Sequence, residues 1–132
     1  MLMDFYIDNS LAINALLLSY AFDCVPLDFP GCMIACGIDV IHPLEPLQAT
    51  NQSAGKTAYE GRIAFLGGID ISHVMPGIID GVKKEVIRCI QQLATGGGFI
   101  LAPSNHLQAD VPPENVINLY KAPIRYGEYP IT

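Results

Sequence analysis

Gly96-Gly97-Gly98-Phe99-Ile100-Leu101-Ala102-Pro103 is the stretch that decides the fold class. The run from Gly98 to Ala102 is apolar almost throughout and stops at a proline. It does not alternate as a half-buried strand would. A run of this kind suits a strand covered on both faces, as a parallel strand between helices is. Immediately upstream, Ile78 to Thr95 carries Val82, Val86, Ile90 and Leu93 at helical spacing along one side, with Lys83, Lys84, Arg88 and Gln92 largely on the other. The three glycines then supply a C-cap and a tight turn into the strand. Downstream, Pro112-Pro113 opens a second helix, with Glu114 in its first turn and Val116, Ile117 and Tyr120 as its apolar residues.

Further out the same rhythm returns. Gly37-Ile38-Asp39-Val40-Ile41-His42 is a β-branched run stopped by Pro43, and Arg62-Ile63-Ala64-Phe65-Leu66 is another, stopped by Gly67-Gly68. A weaker helical segment covers Gln52 to Tyr59. Strand and helix in alternation are the grammar of a βα-repeat fold. The first thirty residues follow it less clearly. Met3 to Ile7 reads as a strand, Asp8-Asn9-Ser10 as a cap, Leu11 to Ala21 as a helix, and Phe22 to Pro30 shows no period.

The chain has 132 residues, room for one ordinary domain, and 51% of them are hydrophobic, enough to build a core. A net charge of −6 opposes a nucleic-acid partner, whose phosphates need a basic surface. Lys83-Lys84 is the only adjacent basic pair, so no polybasic membrane patch exists. Met1-Leu2-Met3-Asp4 lacks the positive start of a signal peptide, and Leu11 to Phe22 is too short to span a bilayer. The expected setting is cytoplasmic, with Cys24, Cys32, Cys36 and Cys89 as free thiols. Cys32 and Cys36 fit one helical face, and two small buried hydrophobes explain that spacing better than a metal does.

Read as strings, several of these segments resemble the uroporphyrinogen decarboxylase family. Gly37-Ile38-Asp39-Val40-Ile41-His42-Pro43 resembles a late barrel strand of that family, and Phe65-Leu66-Gly67-Gly68-Ile69-Asp70 its glycine-rich strand end. The most specific match is Gly96 to Pro103 followed by Asp110-Val111-Pro112-Pro113-Glu114-Asn115-Val116, which resembles the closing strand, loop and helix. Tyr126-Gly127-Glu128-Tyr129-Pro130-Ile131 is similar to the tail of an uncharacterised branch. The resemblance runs from 31 to 132 and leaves 1–30 as a poorly matched segment. It implies an α/β chain forming part of a (β/α)8 TIM barrel, with the C-terminal βα units only. A complete barrel needs about 250 residues. The expectation is therefore a truncated form, not active alone, that pairs as a homo-oligomer or with a partner chain.

The family includes a cofactor-independent decarboxylase that acts on carboxylated porphyrinogens. It also includes zinc-dependent methyltransferases that move methyl groups between corrinoid proteins and thiols. Decarboxylation requires protonating a pyrrole ring, holding the cation and gripping substrate carboxylates with cations and N–H donors. Chemistry in a barrel gathers where strands end and loops begin, which here means His42 and Glu45, Gly68 and Asp70, and Ser104, Asn105 and His106.

The resemblance places a functional histidine in the closing loop. Asn105 falls on that position and His106 one residue later, so His106 is the first catalytic candidate; a surface loop histidine is the alternative. Asp70 is the second, with a loop carboxylate as its alternative, and the glycines before it let a ligand approach the backbone. His42, Gly68, Ser104 and Asn105 are candidates for substrate binding, although a core histidine would also explain His42. His73 receives no role.

No counterpart exists for the family's early-strand arginine and aspartate. Asn105 also stands where the methyltransferase branch has a zinc-binding cysteine, so no metal and no cofactor are expected. Three readings follow. The first is a partial enzyme for a tetrapyrrole-like carboxylate, the second a non-catalytic interaction module pairing through its open edge, and the third a small metal-binding protein using His42, His73, His106 and Asp70.

Overall fold

The computed structural model describes residues 31, 34, 35, 37–44, 52–128 and 131, and the backbone of 15–17. Within these, strands β1 (Ala15–Leu17), β2 (Val40–Leu44), β3 (Ala64–Ile69) and β4 (Phe99–Pro103) alternate with helices α1 (Gln52–Ala58), α2 (Ile79–Leu93) and α3 (Pro113–Tyr126). The strands form one parallel sheet in the order β1-β2-β3-β4, each beside its successor. The chain is thus an α/β unit with an open parallel sheet, and from β2 onward its elements fall on or near the expected apolar runs, but Pro43 does not stop β2, which runs on to Leu44, and Gly67-Gly68 do not stop β3, which runs on to Ile69. Strand β1 is a correction. It occupies the middle of the expected Leu11–Ala21 helix, because an apolar run of leucines fits either period and tertiary pairing with Val40–His42 decides. The Met3–Ile7 strand, the Cys32–Cys36 pair and Glu45 lie outside the described residues.

The core sits between the sheet and the two long helices. Ile41, Phe65 and Phe99 stand side by side across β2, β3 and β4, and Phe65 and Phe99 are buried. Helix α2 covers them with Val82, Val86, Cys89, Ile90 and Leu93, a stripe of five buried residues at spacings of three and four. Three glycines with φ of 77°, 83° and 66° at Gly96, Gly97 and Gly98 turn the chain from α2 into β4, a conformation that side chains disfavour. Positions on the alternate face, Ala64, Leu66, Ile100 and Ala102, are half-buried, so the double-sided covering expected from their composition holds fully only on the helix side.

Helix α3 is rotated by about one residue from the face its apolar content suggests. Asn115, Leu119 and Ala122 are buried, whereas Ile117 and Tyr120 are 51% and 59% exposed. The reason is Asn115. Its amide donates to the carbonyls of Met75 (2.9 Å) and Gly77 (2.7 Å), tying the start of α3 to the loop ahead of α2. Two backbone acceptors satisfied by one buried side chain outweigh the exposure of two apolar ones. Among the described residues no helix is long and apolar enough to cross a membrane.

Candidate functional site

Glycines shape the C-terminal ends of β2 and β3. A Cβ at Gly67 would lie 2.8 Å from the Leu44 nitrogen, so β2 can close on β3 there only because the side chain is missing. A Cβ at Gly68 would meet the Phe99 ring at 3.0 Å and Cys89 Sγ at 3.4 Å. The space beside Gly68 is therefore filled by protein, and its carbonyl accepts from the Cys89 thiol (3.1 Å) and the Arg88 guanidinium (3.4 Å). Arg88 is held in turn by Glu85 through two bonds of 2.8 Å, and it also donates to Gln52 and Gln92. Glu85 keeps the Arg88 pKa above its usual value despite burial. Burial pushes the Cys89 thiol up to about 12 in spite of Arg88 beside it, so this cysteine is a packing residue and not a nucleophile.

Beyond β3 the chain turns on Asp70. Its Oδ1 accepts from the backbone N–H of Ser72 (2.7 Å) and His73 (2.9 Å), and its Oδ2 pairs with His73 Nδ1 at 3.0 Å. Burial raises the Asp70 pKa, but the two N–H donors and the His73 ring together outweigh it and leave the carboxyl below its ordinary value. An ionised carboxylate only accepts, so a neutral His73 must carry its proton on Nδ1 and leave Nε2 as a free base. The His73 side chain is 85% exposed and Asp70 21%. His73 had no role in the sequence; the signal that was present is the Asp-x-x-His spacing directly after a Gly-Gly strand end.

Pro103 registers with Ile69, and the Ser104 N–H donates to the Ile69 carbonyl at 3.0 Å, which sets the loop after β4 beside the loop after β3. Ser104 is fully buried, and its Oγ has no partner among the described residues. Asn105 Oδ1 accepts from the His106 N–H (2.8 Å) and meets His106 Nδ1 at 2.9 Å, both residues being exposed. That pairing again puts the Nδ1 proton on an acceptor and turns Nε2 outward. His42, on β2, is half-buried with Nδ1 3.2 Å from the Leu66 carbonyl.

The sheet thus brings Asp70, His73, Ser104, Asn105 and His106 to one end, while His42 lies deeper, level with the middle of β3. Two imidazoles held by neighbouring oxygen acceptors offer proton donation and acceptance at that end. His42, His73, His106 and Asp70 do not assemble a metal site: among the described residues no three His, Cys, Asp or Glu side chains come together to hold an ion. No family model matches the chain, and no curated protein matches it.

Proposed function

We propose that this chain is the closing part of a uroporphyrinogen decarboxylase-like (β/α)8 barrel, whose C-terminal strand ends bind a carboxylated tetrapyrrole and exchange protons with it. The observation that carries the reading is the pair of loops after β3 and β4, each presenting an imidazole tethered through Nδ1. The unbroken order β1-β2-β3-β4 supports it too, because a barrel wound in one direction places every strand next to its successor. In this reading His106 and His73, once protonated on Nε2, donate from that nitrogen to substrate carboxylates or pass its proton to the ring and return to the Nδ1–H form, and Asp70 orients His73. The carboxy-lyase chemistry needs no cofactor, and the chain alone gives no turnover because the family's arginine and aspartate have no counterpart here. Fluorescence titration with uroporphyrin tests it. Saturable binding that weakens about tenfold in His106→Ala is expected. Absence of binding, or decarboxylation of uroporphyrinogen by the isolated chain, would count against it.

A second reading, an interaction module, draws on the outer side of α3. Ile117, Tyr120 and Ile124 are 51%, 59% and 74% exposed and recur at spacings of three and four along one face. An apolar stripe of this kind is a candidate contact for a further chain. Sedimentation of the purified chain separates a monomer from an assembly, and an assembly that Ile124→Glu disperses would favour this reading.

A further inference from the structure

The outer face of α3 is one-sided in its charge. Ile117, Tyr120 and Ile124 form an exposed apolar line along it, and the exposed Pro113 continues that line at the start of the helix. The four recur at alternating spacings of four and three, the period of a seam between paired helices. One flank of the line carries Glu114 and Lys121, both exposed. Seven residues separate them, about 10.5 Å along the axis, which is further than an ion pair within the helix spans. Arg125, further round on that side, lies over the Tyr126 ring at 5.5 Å. The other flank is formed by Val116 and Pro123, half-buried and apolar. A solvated helix has no use for this division, whereas a helix that packs on a copy of itself does.

We infer that α3 packs antiparallel against α3 of a second copy, about a two-fold axis crossing it between Ile117 and Tyr120, with Glu114 of each chain beside Lys121 of the other. The inference rests on reading this face as an interaction surface, and it names the occupant. The direction of pairing follows from the charges. When two such helices run in opposite directions, the charged flank of each meets the charged flank of the other. When they run in parallel, that flank meets Val116 and Pro123, and the charges go unanswered. Setting Ile117 opposite Tyr120 of the other copy brings Ile124 opposite Pro113. The same register puts residue 114 beside residue 121 at both ends of the contact, each time with opposite signs. One patch thus serves both chains, as a two-fold contact requires. Helix α3 has 14 residues and is about 21 Å long. A contact of that length is small for a specific interface, so dissociation on the order of 10–100 µM is expected.

Sedimentation equilibrium of the purified chain, from micromolar to several hundred micromolar at pH 7 and physiological salt, tests the inference. A monomer–dimer equilibrium is expected. Glu114→Lys and Lys121→Glu should each weaken it at least fivefold, because each variant sets like charges together at both ends. Mixed in equal amounts, the two variants should associate with each other to within twofold of the parent, since every contact between them joins opposite charges again. Both substitutions change exposed side chains, and a folding defect would not be repaired by mixing. A chain that stays monomeric throughout overturns the second copy as occupant, while leaving the face open to a different chain. An assembly that Ile124→Glu disperses but that neither charge variant weakens overturns the antiparallel pairing and keeps the interaction-module reading. An assembly indifferent to Ile124→Glu overturns both.

Discussion

At the C-terminal end of the sheet, Asp70 and Asn105 are satisfied by their own loops, whereas the buried Ser104 Oγ has no partner among the described residues. Asp70 takes two backbone N–H groups and the His73 ring, and Asn105 takes the N–H and ring of His106. At the N-terminal end, the Lys56 side chain packs beside the Gly96–Gly98 turn, where the carboxylates of Asp39 and Glu60 also lie. The contrast separates two ways of building function. A self-satisfied loop fixes the tautomer and direction of a ring before anything binds, which suits proton transfer. A buried hydroxyl without a partner waits for a ligand to complete it, which suits binding. The two kinds of group should therefore respond in opposite senses to their loss.

The largest effect is expected in the layer that holds both ends in place. Leu93 is fully buried on α2, and Leu93→Ala should cost about 3 kcal/mol in urea unfolding, blurring both ends together. Asn115→Leu attacks only the C-terminal side. It strips the Met75 and Gly77 carbonyls of their donor and should cost about 2 kcal/mol by the same assay. Asp70→Ala removes a turn cap and should cost about 1 kcal/mol at pH 7. Because the folded pKa of Asp70 is lowered, its contribution is present above the unfolded value near 4 and is lost as the pH falls through the folded one. The deficit of the variant relative to the parent should accordingly shrink in acid, as unfolding curves at pH 7 and pH 3 would reveal. Ser104→Ala is the smallest and of opposite sign. It removes a buried hydroxyl without a partner among the described residues and should leave stability unchanged or raise it by up to about 1 kcal/mol. A large loss there would mean that the hydroxyl is already bonded, and the contrast would fail.

Particular elements show what a sequence of this kind discloses. Strands β3 and β4 and helix α2 were legible because continuous apolar runs, and a helical stripe through Val82, Val86, Ile90 and Leu93, encode burial directly, although β3 runs on through the Gly67-Gly68 pair expected to end it. The phase of α3 was not, since it is set by Asn115 reaching across to residues 75 and 77, a partnership that periodicity does not carry. Likewise, Ala15–Leu17 pairs as a strand inside a run with helical character. Strand ends pointed to Asp70 and His106, and both lie in the loops at the C-terminal end. His73 was given a place only among the possible metal ligands, because its pairing comes from the turn that folds it back onto Asp70. Lys56 looks like any helix-surface lysine until the tertiary fold buries it.

The proposed binding of a carboxylated tetrapyrrole falls to the C-terminal end of the sheet. Uroporphyrin titration followed amide by amide is its most direct test. The prediction is saturable shifts confined to Asp70–His73 and Ser104–His106, with the Gly96–Gly98 turn unmoved. Shifts centred on Gly96–Gly98, or none at either end, would contradict it.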